Sequence, residues 1–470
     1  MSAPPEINAT IATVRDDFFR IQERGTTART EILGGLTTFT TMAYIIVVNP
    51  AILSFAGLPT GPSTVATILA AAFGSIAMGL YANRPFAVAP YMGENAFIAF
   101  GLAALGITWT ERLGAVFWGG VLFAIITLLG VRTWLAAAIP VSLKHSFAVG
   151  IGLFLALIGL YESGLVTSFV TGLPPSALAL SPTGALLPPG APLKLGDLRD
   201  ARVLLAAGGF TLMALLLQRG VRGAILIGMA STAVVGIALG LGEAPRALVA
   251  IPFRGDYALG PIALHLDLWG VLRPAFLPLL LTLFLMGFLD TLGTLVGLGA
   301  AAGLLDDKGD LPDIERPMMV DAAACMFSGL VGTSTTGVYI ESATGIRDGA
   351  RTGLAAVTTG LVFLASLFFI PLVQPLQALR YAYAPALIVV GLLMTASARH
   401  LQYDDLTELV PAFATIAMMV FTYNIANGLT AGLLLHPIVK VAANRAGEVR
   451  PGAWVLAAMS LLYYVFGLPH

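Results

Sequence analysis

Apolar stretches close to the length that spans a bilayer recur about fourteen times along this chain, most of them separated only by short polar turns. They cover 31–57, 62–82, 85–104, 111–131, 143–160, 202–218, 222–242, 275–304, 316–331, 332–347, 351–372, 383–398, 406–424 and 427–443. In lipid a backbone must satisfy its own polar groups, and runs of about 20 residues do so as helices. The residues are 57% hydrophobic and 11% charged, against about a quarter charged in soluble domains. An all-α polytopic membrane protein is therefore expected. The 52 glycines and 28 prolines suit closely packed, interrupted spans. A net charge of −1 gives no sign of a nucleic-acid partner. The single cysteine, Cys325, lies in an apolar run and reads as a packing residue.

Residues 1–30 are polar, carry four arginines and read as a cytoplasmic leader, not a cleaved signal. Threading the spans from an internal N-terminus puts Arg84, Arg219, Arg222, Lys308, Arg316, Arg347 and Arg351 on the cytoplasmic side, in accord with the positive-inside rule. The one long loop, about 161–201 and rich in Pro, Gly and Leu, then falls outside. The closing apolar piece, within 444–470, either crosses the bilayer or lies in its interface.

Two spans, the third and the tenth, are too broken to be plain helices. They are "RPFAVAPYMGENAFIAFG" at 84–101 and "SGLVGTSTTGVYIESATG" at 328–345. Each passes from an extended run through Pro or Gly and Ser/Thr into a helical stretch, so each is expected to be half strand and half helix. Irregular backbone survives at membrane depth only beside protein or a watery cavity, so both segments should line a site. On the threading above they run in opposite directions, which marks a seven-plus-seven inverted repeat with the half-helix N-termini meeting near the midplane.

Carboxylates away from the first few residues of these spans are few: Glu94, Asp290, Asp321 and Glu341. Each costs about 2.5 to 3.5 kcal/mol at a helix centre, so function is the default reading. The four-residue spacing of Asp290 and Thr294 places both on one helical face, with Gly287 and Gly297 leaving room beside them. Glu94 and Asn95 are adjacent and point about 100° apart, and Asn95 is the favoured ligand contact. Asp321, nearer the cytoplasmic half of its span, reads as structural. The five histidines show no metal-ligand spacing, and neither HExxH nor GxSxG occurs, so no cofactor, metal or enzymatic activity is expected.

The stretches "GGLTTFTTMAYIIVVNPAIL", "APYMGENAFIAF", "MGFLDTLGTLVG", "GTSTTGVYIESATGI" and "FTYNIANGL" resemble the adenine/guanine/hypoxanthine permease branch of the nucleobase-cation symporters, over about 28–445. The resemblance implies a core domain of spans 1 to 4 and 8 to 11 (31–131 and 275–372). It also implies a gate domain of spans 5 to 7 and 12 to 14 (132–274 and 373–443), and a homodimer formed through the gate. By the same similarity Asn95, Asp290 and Glu341 would carry purine binding. Glu94 departs from the family pattern, which has an apolar residue there.

A purine base has apolar faces and an edge of N–H donors and ring acceptors. Glu341 can accept paired N–H groups, Asp290 another edge, and Asn95 can both donate and accept. Ser334 and Thr335 lie in the second broken segment beside backbone amides that can supplement them. Phe97, Phe288 and Tyr339 are candidates to stack on the ring or simply to pack. Desolvation favours the neutral form of a carboxylate with no cation nearby, which makes Glu341, Asp290 and Glu94 the proton-coupling candidates of a symporter. An exchanger of anions on the same architecture, a carrier of xanthine or uracil, and a passive channel are the alternative readings. Carboxylates in place of cations count against the first.

Overall fold

The computed structural model describes residues 18–102, 106–130, 134, 138–174, 192–273, 276–306 and 311–466. Its first half runs α1 (Ala28–Met42), α2 (Ile45–Ser54), α3 (Thr60–Ala77), β1 (Val88–Pro90), α4 (Met92–Ala96), α5 (Trp109–Leu128) and α6 (Val141–Glu162). A hairpin of β2 (Val166–Ser168) and β3 (Leu193–Leu195) leads into α7 (Ala201–Gln218) and α8 (Ala224–Ala238). The second half repeats the order: α9 (Leu277–Ala302), α10 (Glu315–Val331), β4 (Thr336–Val338), α11 (Ser342–Arg347), α12 (Gly353–Ser366), α13 (Ile370–Ala378), α14 (Arg380–Met394), α15 (Leu406–Phe421) and α16 (Ile425–Ala442). A last helix, α17 (Pro451–Phe466), packs along α16, where the Tyr464 hydroxyl donates to the Asn427 carbonyl at 2.7 Å.

Nine of the described helical runs are long and apolar enough to cross a membrane, and three shorter apolar helices accompany them. Each expected span coincides with one of these, with a strand–helix pair or, for 316–331, with α10, which is not among them. The interior is held by helix-on-helix packing: α10 lies on α5, α12 on α1 and α3, α14 on α6 and α7, and α15 on α6 and α16.

The first span shows how a proline is accommodated at depth. Pro50 sits inside α2 and supplies no N–H, which frees the carbonyl of Ile46 one turn earlier. The Gln377 side chain donates to that carbonyl at 3.0 Å and to Thr64 Oγ1 at 2.7 Å. An orphan in lipid is avoided by a residue more than 300 positions away.

Several boundaries differ from those expected. The span expected to end at 372 continues through a short 3-10 turn to Ala378, so a domain boundary at 372/373 would fall inside a helical run. Pro371 stands at the start of α13, where a missing N–H costs nothing, and the chain breaks at Leu379 (φ −94°, ψ 84°). The loop at 161–201 is not the one long connection: 239–276 is a second. Among its described residues no helix is long enough to span, and parts of it cover helix ends. Leu264 N donates to Leu330 O (2.8 Å), Asp267 N to Thr110 O (3.0 Å) and Trp118 Nε1 to Leu268 O (2.9 Å). The leader reaches α1 through a Thr27 cap, and Arg24 donates to the carbonyls of Asn83 and Arg351. Residues 1–17, Lys308 and the expected boundary at 274/275 lie outside the described residues.

Gln377→Leu keeps the bulk but leaves the Ile46 carbonyl unpaired. It is expected to destabilise the protein by about 1 to 3 kcal/mol, the cost of a buried polar group without a partner, read as a lowered Tm in detergent.

Candidate substrate site

The two broken segments meet as a ribbon. β1 and β4 pair antiparallel, with Val88 opposite Val338, Ala89 opposite Gly337 and Pro90 opposite Thr336. Tyr339 N donates to Ala87 O at 2.9 Å and Tyr91 N to Thr335 O at 2.9 Å, extending the pairing at both ends. Because the strands oppose, α4 and α11 leave the ribbon in opposite directions. Gly337 is required by close approach, since a Cβ there would run into the Tyr91 ring and hydroxyl.

Neighbouring side chains secure the ribbon's remaining polar groups. Ser75 Oγ accepts from Val88 N (2.9 Å) and donates to Val88 O (3.1 Å), and Ser342 Oγ accepts from Ala87 N (2.9 Å). Cys325 Sγ donates to Thr336 O at 3.0 Å. Asp321 accepts from Thr291 Oγ1 (2.7 Å) and from Val338 N (3.3 Å), and Thr291 shares a hydrogen bond with the Tyr91 hydroxyl (2.8 Å). Asp321 thus braces β4, matching its structural reading.

Asp290 on α9 and Glu341 at the start of α11 come together. Their helices pack on each other, the two carboxylates are within Coulombic range, and both are half-buried. Glu341 stands at the N-cap position but makes no cap hydrogen bond; its Oε1 accepts from the Tyr44 hydroxyl at 2.6 Å. Thr294, half-buried, lies one turn beyond Asp290. Beside these residues Gly287, Gly293 and Gly297 face open space, where a Cβ would meet no atom within 4 Å. Gly293 and Gly297 are exposed and Gly287 half-buried, so this flank of α9 carries no side-chain bulk beside the acid.

Asn95 is enclosed, its amide 3.5 Å from the Asn49 carbonyl and its Oδ1 without a protein partner. Thr335 Oγ1 and both oxygens of Glu94 are likewise buried and unpartnered, and Glu94 is within Coulombic range of Asp290. Ser334 is committed to the protein, donating to Asn49 Oδ1 at 3.1 Å. Phe97 is fully buried, its ring against Gly101. Tyr339 donates to Pro90 O at 2.8 Å, tying one broken segment to the other. Phe288 packs with Phe284 and Phe123, at centroid distances of 5.6 and 6.0 Å. Among the described residues no cation forms a salt bridge with Glu94, Asp290, Asp321 or Glu341.

Sequence reasoning passed over Tyr44 and Asn49. Asn49 is wholly buried and donates to Thr67 (2.7 Å) and Thr333 (2.9 Å) while accepting from Ser334, so it joins α2, α3 and the second broken segment. The available signal was two hydrogen-bonding side chains in the apolar run "YIIVVNP".

Such an arrangement, acceptors without a compensating cation beside open space, suits a neutral ligand rich in N–H groups. The Xan_ur_permease family model, described as "Permease family", matches residues 29–430. Adenine permease AdeP of Escherichia coli (strain K12) is 38% identical over 453 residues, covering 95% of this chain and 95% of its own. Guanine/hypoxanthine permease PbuG of Bacillus subtilis (strain 168) is 38% identical over 461 residues, covering 96% and 99%. Among solved structures, the transmembrane domain of the cyanobacterium bicarbonate transporter BicA shares the fold, with a TM-score of 0.59 at 16% identity over 86% of this chain and 97% of its own. SLC26A9 matches with a TM-score of 0.59 at 13% identity, over 93% and 70%. With its paired broken segments and a family match running from the first helix into the last repeat, this multi-pass membrane protein belongs to the Xan_ur_permease family of permeases.

Proposed function

We propose that the chain is a secondary active transporter of purine nucleobases, working as a proton symporter into the cytoplasm across the cell membrane. The observation that carries this reading is the placing of Asp290 and Glu341 on elements that pack together, within Coulombic range of each other and without a salt-bridged cation among the described residues, beside the glycines of α9. Relatives named as adenine and guanine/hypoxanthine permeases, at 35% to 38% identity over nearly the whole chain, support the substrate class. In this reading the carboxylates accept N–H groups of the base, while Asn95 and Thr335 turn their unpartnered atoms to its other edge. An anion would meet only negative charge here, which disfavours the exchanger alternative.

Helix packing supports a division into core (α1 to α5 with α9 to α13) and gate (α6 to α8 with α14 to α16), the strongest neighbours of each helix lying mostly in its own group. The homodimer belongs to the same reading. A cytoplasmic N-terminus is supported by the clustering of Arg24, Arg84, Arg222 and Arg351 at one end of the bundle, near Asn83, Pro312 and Asp348. Glu94, enclosed with neither oxygen hydrogen-bonded, is the best-placed proton carrier, because an isolated charge there would be costly.

Glu341→Gln should weaken purine binding by about 1.5 to 3 kcal/mol, the worth of a hydrogen bond to a charged group, in competition assays on purified protein. Undiminished affinity would remove Glu341 from the site. In proteoliposomes, an inward proton gradient should drive purine accumulation at zero sodium gradient, and Glu94→Gln should keep purine counterflow while losing that accumulation. Uptake driven by sodium alone would reject the coupling.

A further inference from the structure

We infer that Tyr44 is a positioning residue for Glu341 and thereby a determinant of purine preference; this rests on the function proposed above. The Tyr44 side chain is 1% exposed, and its hydroxyl donates to Glu341 Oε1 at 2.6 Å. No second side-chain hydrogen bond reaches Glu341 among the described residues. A carboxylate on a flexible stem otherwise samples several rotamers, and a buried donor on one oxygen fixes its plane and leaves the other oxygen outward.

The pair is one rung of a ladder that joins α1 and the turn after it to α11 and its two flanking residues. Thr41 and Thr344 share a hydrogen bond at 2.9 Å, and Thr37 Oγ1 donates to Asp348 Oδ2 at 2.7 Å. Tyr44, Thr41 and Thr37 are three and four positions apart and meet Glu341, Thr344 and Asp348 at the same intervals. At the lower end Asp348 pairs with Arg222, which leads into α8. Each rung limits rotation of α11, and only the Tyr44 rung grips the ligand-binding acid. The Tyr44 hydroxyl also neighbours that of Tyr339, which anchors on Pro90 O, so the grip is referred to the ribbon itself.

The consequence for selectivity is specific. With Oε1 engaged by Tyr44, Glu341 presents chiefly Oε2, enough for a single N–H. Freeing Oε1 would loosen the carboxylate but offer a second acceptor to a ligand that brings two adjacent donors. Guanine does so through N1–H and its amino group; hypoxanthine offers N1–H alone.

The test is a double-mutant cycle on Tyr44→Phe, Glu341→Gln and the double variant, with guanine and hypoxanthine affinities measured alongside Tm in detergent. Tyr44→Phe is expected to lower hypoxanthine affinity by about tenfold and guanine affinity by clearly less, with Tm near that of the parent. In the Glu341→Gln background the same substitution should shift the guanine-to-hypoxanthine ratio little. Tyr44→His, which retains a donor, should recover part of the parental ratio. An unchanged ratio, or an equal loss in both backgrounds, would overturn the inference and leave Tyr44 as packing. Failure of Glu341→Gln alone to affect either base would instead defeat the proposed role of Glu341. If Tyr44→Phe does not fold, the Tyr44→His ratio decides: a shift in the parent background that is absent in the Glu341→Gln background supports the inference, and an unchanged ratio or an equal shift in both overturns it.

Discussion

Everything at the centre of this molecule depends on one short stretch of strand pairing. β1 and β4 contribute three residues each, yet they let two helices begin inside the bundle and run apart. Without the pairing, the amides and carbonyls of both segments would be orphaned in a low-dielectric interior, each at a cost of several kcal/mol. Ser75, Ser342, Asp321 and Cys325 complete the arrangement from three directions. Polar residues around the ribbon therefore fall into two groups: those that satisfy its backbone, and those left free. Asp290, Glu341, Asn95 and Thr335 are in the second group, or have only one of their polar atoms engaged.

Much of this was legible in the sequence because the underlying constraints are local. Bilayer thickness dictates segment length, and a carboxylate in an apolar run stands out whatever surrounds it. Proline and glycine inside a span announce an interruption. Adjacent Glu94 and Asn95 have different surroundings in the structure: the Asn95 amide reaches the Asn49 carbonyl, while neither Glu94 oxygen has a hydrogen-bond partner among the described residues.

What sequence reading missed depends on partners distant along the chain. Tyr44 has meaning only beside Glu341, and Gln377 only beside the carbonyl that Pro50 releases. Neither association has a spacing to detect. The span expected to end at 372 runs on because Pro371 begins a helix and Pro375 is accommodated within it. In the connection at 239–276, Ile262 is buried beneath Gly332 and Val271 beside α5, while Leu248, Ile251, Leu264 and Trp269 are exposed, so only part of its apolar content roofs the bundle.

Room beside Asp290 is created by missing side chains. Gly287, Gly293 and Gly297 leave bare backbone along one flank of α9, and nothing from another element fills the vacancy. A methyl can therefore be added at any of the three, one alanine at a time, without a clash, while the acids stay where they are. Bulk along this flank and the charge beside it are set by different residues, and each can drift without the other.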